Sequence, residues 1–316
     1  MSVASRPAPR PEMTPREGLF FTAILIVVGA GWGMTQPLSK IAVSTGHGHF
    51  GLIFWQLAIG AAILAVVSLV RGKGLPMRRD ALVLCAIIAL IGTVIPNSTS
   101  YQAIRHLPSG VMSILLSLIP MIAFPMSLLM GTERFSPRRL LGLLAGLAGV
   151  LLLVVPEASL PDRDMLIWIP LALVAPCFYA FEGNFVARWG TAGLDAVRVL
   201  FGASLIGAVI ALPLALGSGQ FISPLGPYGA PEWALIASSL IHVVVYSSYV
   251  WLVGRAGPVF AVQVSYLVTG FGVLWAMVML GESYSPYIWA ALGLVLAGVA
   301  LVQPRRNRPV APGATI

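Results

Sequence analysis

Long apolar runs, separated by short polar connections, dominate the chain. A helix that crosses a bilayer needs about 20 mostly apolar residues, and the sequence contains ten such runs. They cover residues 18–41, 50–70, 81–104, 107–130, 140–156, 165–188, 195–217, 231–253, 257–280 and 287–303. The pattern predicts an all-α integral membrane protein with ten transmembrane helices and no soluble domain, because the connections are too short to form one.

Composition supports the membrane class. Hydrophobic residues make up 58% of the 316 residues and charged residues only 9%, whereas soluble domains are about a quarter charged. This balance excludes a water-soluble globule and a disordered chain. The two cysteines, Cys85 and Cys177, fall inside predicted spans and are interpreted as small buried hydrophobic residues.

The basic residues predict the orientation. With the N-terminus in the cytoplasm, all of the 19 Lys and Arg residues except Lys40, Arg105 and Arg163 lie on the cytoplasmic side, as the positive-inside bias requires. We therefore predict that both termini are cytoplasmic, with disordered tails at 1–17 and 304–316. The net charge of +8 reflects this topology; it favours anionic membrane lipid as a neighbour and not nucleic acid.

The chain contains an internal repeat. The run from Gly131 to Pro137 resembles the run from Leu280 to Pro286, 149 positions later. The same offset pairs Gly149-Val150 with Gly298-Val299, and the corner Leu107–Gly110 with Ala256–Val259. These matches divide the chain into a first repeat, 18–156, and a second repeat, 165–303.

Each repeat holds five spans, so the second repeat must enter the membrane from the opposite side. The basic residues Arg134, Arg138 and Arg139 of the first joint are replaced by Ser283, Tyr287 and Ile288 in the second. This difference agrees with joints on opposite sides of the membrane. The fold class predicted is two inverted five-helix repeats, an arrangement typical of secondary transporters with a site between the repeats.

Glu133 and Glu282 occupy equivalent positions in the two joints, each followed by a Ser-Pro pair. Ser-Pro suits an N-cap followed by proline in the first helical turn. A role in loop and cap structure is favoured for both acids; a role in substrate chemistry is the alternative.

Ten spans in two halves, the G-x-E-x-[FY]-S-P joint and Trp32-Gly33 in the first span resemble the drug/metabolite transporter superfamily, EamA type. The resemblance implies a bacterial inner membrane location and a central cavity lined mainly by spans 1, 3, 4, 6, 8 and 9. Members move amino acids, nucleosides, purines, drugs and other metabolites, often outward. The stretch Phe178–Asn184 departs from the Trp-Ala pattern common in the sixth span.

Glu182 is the only carboxylate well inside a predicted span. Charge at membrane depth is costly and therefore points to a cavity or a partner. Glu182 is a candidate to bind a cationic group of a solute or to carry a coupling proton. An ion pair with Arg188, or a hydrogen bond to a broken backbone, is the structural alternative.

Polar and aromatic residues recur at helical spacing within other spans. Ser239, His242, Tyr246 and Tyr249 share one face of the eighth span, and aromatic rings of this kind contact planar or cationic solutes. The further candidates for solute binding are Trp32, Gln36, Asn97, Tyr101, Tyr179, Gln263 and Tyr266. Packing or hydrogen bonding to a neighbouring helix is the alternative for each.

Prolines and small residues add two open questions. Pro120, Pro125 and Pro176 are either hinges or kinks that only shape the bundle. The Gly142/Gly146 pair permits close helix packing and leaves a homodimer as an unproven alternative.

The sequence contains no zinc-hydrolase, nucleophile-elbow or Walker motif, so no enzyme activity, metal or cofactor is predicted. The prediction is a secondary active transporter of a small organic solute, working by alternating access and most consistent with proton-coupled export. The alternatives are uptake or exchange without proton coupling, a membrane-embedded lipid-modifying enzyme, and a non-transport assembly subunit. Substrate, direction, coupling ion and oligomeric state are not determined by these patterns.

Overall fold

A computed structural model describes residues 15–72, 74–75 and 77–302. The predicted tails lie outside these residues, except that Pro15–Glu17 form the first turn of the first helix. All regular structure in the described residues is helical, which confirms the predicted fold class.

The described residues form thirteen α-helices. They are α1 (Pro15–Ala42), α2 (His49–Val70), α3 (Arg79–Ala89), α4 (Ile95–His106), α5 (Ser109–Leu116), α6 (Ile119–Leu129), α7 (Pro137–Val154), α8 (Ile169–Trp189), α9 (Ala196–Gly217), α10 (Ala230–Ala256), α11 (Pro258–Ala261), α12 (Val264–Leu280) and α13 (Pro286–Val302). Eight helical segments in this part of the chain are long and apolar enough to cross a membrane, and α12 and α13 are shorter apolar helices.

Three of the predicted spans are interrupted. A π-helical turn, Leu90–Val94, joins α3 to α4, Ser117 and Leu118 separate α5 from α6, and a break after Ala261 separates α11 from α12. Pro120 follows the second break, because its ring nitrogen cannot donate to the preceding turn.

The other two predicted hinges lie elsewhere. Pro125 lies within α6 and Pro176 within α8, and both helices continue through their proline. Of the three prolines, only Pro120 is therefore at an interruption.

Helix packing follows the repeat. In the first half, α1 packs against α10 and α12; its counterpart α8 packs against α4 and α6, which are the counterparts of α10 and α12. The pairs α2 with α9, and α7 with α13, each join one helix to its own repeat partner. Because the members of each pair are offset by five spans, an odd number, the axis that relates the halves lies in the membrane plane.

Glycines set the closest helix contacts. A Cβ atom on Gly33 would lie 2.7 Å from the backbone nitrogen of Gly272 in α12, and one on Gly142 would lie 2.7 Å from the carbonyl oxygen of Gly298 in α13. The Gly142/Gly146 face is thus occupied by α13 of the same chain. It does not supply the homodimer surface left open from the sequence.

Candidate functional site

A cavity of about 490 Å³ lies between the two halves. Helices α1, α2, α4, α5, α6, α8, α10 and α12 contribute to its wall. Most polar groups on the wall are hydroxyls, namely Thr35, Ser39, Thr93, Ser100, Tyr101, Ser113, Ser117, Tyr179, Ser238, Tyr249, Ser265 and Thr269. The described residues that line it include no Lys, Arg, Asp or Glu, so the wall presents polar groups on a mainly apolar surface and has no fixed charge.

Seven of the eleven residues predicted to bind solute line this cavity. They are Trp32, Gln36, Asn97, Tyr101, Tyr179, His242 and Tyr249. Pro120, one of the predicted hinges, also lies on the wall. Aromatic and amide residues that were selected by their spacing in separate spans therefore lie together at one place in the fold.

The other four predicted residues lie off the wall. Tyr246 contacts the Trp32 ring, with centroids 6.4 Å apart, and Tyr266 packs against the main hydrophobic core. Gln263 is exposed, because the break between α11 and α12 changes the rotational phase of the ninth span. An uninterrupted helix was assumed in placing Gln263 and Tyr266 on one inward face, and that assumption was wrong. The fourth residue is Glu182.

Glu182 lies immediately beside the cavity. A Cβ atom on Gly92, which lines the cavity within the π-helical turn, would be 2.6 Å from the carboxylate carbon of Glu182. The side chain is half-buried and has no hydrogen-bond or ion-pair partner among the residues that the structure describes. The guanidinium of Arg188 stacks over the Trp189 ring, 5.7 Å from its centroid. The predicted alternative of a Glu182–Arg188 pair is therefore wrong in this conformation.

Hydrogen bonds connect three helices across the cavity wall. The Tyr179 hydroxyl donates to Asn97 Oδ1 at 2.8 Å, and Asn97 Nδ2 donates to Gln56 Oε1 at 3.1 Å. The Tyr101 hydroxyl donates to the same Gln56 oxygen at 2.9 Å. The network joins α8 of the second repeat to α2 and α4 of the first, so it fixes both the orientation of these side chains and the contact between the halves.

Gln56 was missed by the sequence analysis. The second span was not expected to reach the cavity, yet Gln56 lines it and accepts two hydrogen bonds. One signal was available: apart from Ser68, Gln56 is the only polar side chain other than tryptophan in the run from Phe50 to Val70, and it is the only amide.

We expect Gln56→Met to lower stability, because it removes the acceptor of Tyr101 and Asn97 while keeping side-chain volume. Leaving buried donors without an acceptor costs about 1–3 kcal/mol, and the change should appear as a lower thermal denaturation midpoint in detergent. Thr22→Val is the matched control, since the Thr22 hydroxyl donates to Gly18 at an exposed position. Equal midpoints for the two variants would contradict a structural role for the network.

An aromatic cluster covers another part of the wall. The Trp32 ring of α1 lies 5.6 Å from Tyr249 and 6.2 Å from His242, both in α10. Aromatic faces of this kind contact planar and cationic groups favourably. The cluster gives the cavity one aromatic side, and the amide network gives it a hydrogen-bonding side.

The described residues contain no group of three or more His, Cys, Asp or Glu side chains placed to hold a metal ion. The cavity can therefore offer a solute hydroxyls, amides, aromatic faces and, through Glu182, one adjacent carboxylate.

Comparisons with known proteins agree with this architecture. The chain is 24% identical over 294 residues to the uncharacterized inner membrane transporter YedA of Escherichia coli K12, covering 92% of this chain and 91% of that one. It is 24% identical over 290 residues to a probable terminal-alkyne amino-acid exporter of Streptantibioticus cattleyicolor, covering 89% and 92%.

One solved structure, described only as a crystal structure of protein, has a TM-score of 0.61 at 22% identity and shares the fold. The match covers 90% of this chain and 98% of the chain in that structure. The EamA-like transporter family matches residues 19–155 and 166–303. With two family matches that span almost all of the membrane helices, the chain belongs to the EamA-like transporter family, as a multi-pass transport protein of the inner membrane.

Proposed function

We propose that the protein is a secondary active transporter that moves a small organic solute through the central cavity by alternating access, as a proton-coupled exporter. The observation that carries the proposal is the composition of the cavity: an uncharged wall of hydroxyls and amides, one aromatic side, and a single carboxylate next to it. Such a wall suits an amphipathic or aromatic solute that is zwitterionic or cationic.

Each part of the wall has a proposed role. Trp32, Tyr179 and Tyr249 contact the apolar or aromatic part of the solute, and Tyr246 supports the Trp32 ring. Gln36 and Asn97 orient its polar atoms; Gln36 has no hydrogen-bond partner among the described residues and is free to do so. Gln263 is left out of this proposal because of its exposed position.

Glu182 is proposed to exchange a proton during transport or to hold the positive group of the solute. It supports both roles because it is the only carboxylate well inside a span and has no competing partner in the described part of the chain. A carboxylate at membrane depth is less costly when protonated than when charged. Each crossing of Glu182 between a dry and a wet environment would therefore couple to uptake or release of a proton.

Amino acids are the first solutes to test. The name of the Streptantibioticus relative, a probable terminal-alkyne amino-acid exporter, favours both that class and outward movement. At 24% identity the relative supports a choice of experiment and not a substrate assignment.

The test combines binding with flux. Purified protein is heated with amino acids, nucleobases and quaternary amines, since a ligand that binds the folded state raises its denaturation midpoint. The stabilising compound is then followed in proteoliposomes with and without an imposed pH gradient. We expect faster flux with the gradient; equal flux would favour exchange without proton coupling. No stabilisation and no flux for any compound would favour the assembly-subunit alternative.

A further inference from the structure

The two repeat-related acids, Glu133 and Glu282, have different partners in this structure. They occupy the same position in the two joints, 149 residues apart, and the main helix pairs of the two halves correspond. A difference at equivalent positions of an inverted repeat distinguishes the two ends of the cavity.

Glu282 holds the start of α5, which belongs to the other repeat. Its Oε1 accepts the backbone N–H of Ser109 at 2.8 Å and its Oε2 accepts that of Gly110 at 3.2 Å. The first amides of a helix have no acceptor within the helix, and a carboxylate is favoured there by the helix dipole. The Glu282 carboxylate therefore ties the joint of the second repeat to the fourth span of the first.

Tyr284 supports this contact. Its hydroxyl donates to Glu282 Oε2 at 2.6 Å and lies against Gly110, where any Cβ atom would collide with it. Burial, together with the hydrogen bond to Glu282, raises the pKa of Tyr284 above its ordinary value. Tyr284 thus stays a donor over the physiological pH range.

Lys40 holds the adjoining end of α4. Its Nζ donates to the carbonyl oxygens of Ile104 at 2.7 Å, Arg105 at 3.0 Å and Leu107 at 3.0 Å. Ile104 and the neighbour of Lys40, Ser39, both line the cavity. Lys40 and Glu282 consequently fasten the α4–α5 corner directly at one end of the cavity.

Glu133 makes no equivalent contact with the residues that the structure describes. It pairs with Arg139 at the start of α7, within its own repeat. The corner that corresponds to Ser109 is the start of α11, and α11 packs chiefly against α10, whereas α5 packs against α1, α8, α12 and α13. Ile114 is 0% exposed, while its repeat counterpart Gln263 is exposed. Among the described residues, the α11 corner therefore lacks the carboxylate contact that fastens the α5 corner.

We propose that Glu282 is a latch that closes the cavity at the α5 end, and that Glu133 is the matching latch of the opposite end, released in this conformation. This inference rests on the alternating-access step of the proposed function. Inverted symmetry then implies the exchange: in the opposite conformation Glu133 leaves Arg139 and accepts the backbone N–H of Val259, the counterpart of Gly110, because Pro258 at the position of Ser109 has no N–H. Glu282 then releases α5. Under the predicted topology, the end closed here is periplasmic.

A cysteine at the latched corner reports the exchange. Ser109 is fully buried and its hydroxyl has no hydrogen-bond partner among the described residues, so Ser109→Cys keeps the packing and both backbone contacts. Cys85 and Cys177 are first replaced by alanine. The labelling rate of the new thiol with a water-soluble maleimide is then measured on the purified full-length protein.

The two acids serve as each other's control. The minor state of such an equilibrium is commonly about 0.1–10% populated, so Glu282→Ala is expected to raise the labelling rate about tenfold or more. Glu133→Ala should leave the rate unchanged or lower it, because the Glu133 latch is already released. A rise in both variants would mean general loosening and would overturn the proposal, as would no rise in either.

Two further variants keep the proposal testable if Glu282→Ala does not fold, and show whether the carboxylate itself is needed. If Glu282→Ala does not yield monodisperse protein, Tyr284→Phe removes only the hydroxyl that supports the carboxylate, and a smaller rise is expected; no rise overturns the latch. Glu282→Asp, which retains a carboxylate, should bring the rate back toward that of the parent. Labelling needs neither solute nor proton gradient, so the latch proposal can fail while proton-coupled transport stands. Conversely, the flux assay can refute proton-coupled transport while the labelling result still supports the latch.

Discussion

Glu182→Gln should abolish the acceleration of flux by a pH gradient in proteoliposomes while leaving membrane insertion intact. Glutamine has nearly the same size as glutamate but carries no ionisable proton, and no Asp or Glu side chain is among the described residues that line the cavity itself. Coupling between two ligands of one protein usually amounts to about 1–3 kcal/mol, or about 5–150-fold in affinity. That factor is the expected loss for a proton and a solute that are linked through Glu182.

Glu157→Gln is the matched control, because it makes the same chemical change at an exposed loop position. Solute exchange at equal pH on both sides separates the two roles proposed for Glu182. Exchange that persists in Glu182→Gln identifies proton coupling; exchange that disappears together with thermal stabilisation by the solute identifies solute binding. Unchanged flux and unchanged pH dependence would remove Glu182 from the mechanism.

Gly33→Ala is expected to destabilise the protein strongly for a single methyl group. The added Cβ would lie 2.7 Å from the Gly272 nitrogen and 2.9 Å from both the Val268 carbonyl oxygen and the Phe271 Cβ atom. Two of these atoms are backbone, so relief requires α1 and α12 to move apart. Overpacking of this kind costs about 1–3 kcal/mol, which thermal denaturation of the purified protein should detect.

Gly293→Ala adds the same methyl group where nothing lies within 4 Å, on the exposed face of α13. A helical glycine replaced without a clash gains about 0.5–1 kcal/mol, so the two variants should shift the denaturation midpoint in opposite directions. Shifts of the same sign would contradict the close approach of α1 to α12.

Helical spacing in the sequence predicted cavity-lining residues only where the helices are regular. Trp32, Asn97 and His242 line the cavity, and each lies in an uninterrupted stretch, where i, i+3 and i+4 positions share one face. Gln263 was misplaced because a two-residue break rephases its span. Gln56 was missed because a lone amide in an apolar run shows no period at all.

The sequence by itself determined the class, the number of spans and the inverted repeat. Hydropathy, chain length and a repeated motif are local or one-dimensional signals, and the membrane restricts the folds that satisfy them. Family resemblance added the expectation of a central cavity, and the predicted orientation rests on the positive-inside bias alone.

Only the tertiary structure decided which polar groups meet. Glu282 contacts the amides of Ser109 and Gly110 across 172 or more positions of sequence, and its repeat counterpart Glu133 takes another partner altogether. Two identical residues in equivalent positions are indistinguishable to a sequence pattern. In this conformation their partners differ, and that asymmetry belongs to the packing of the two halves and not to either copy of the motif.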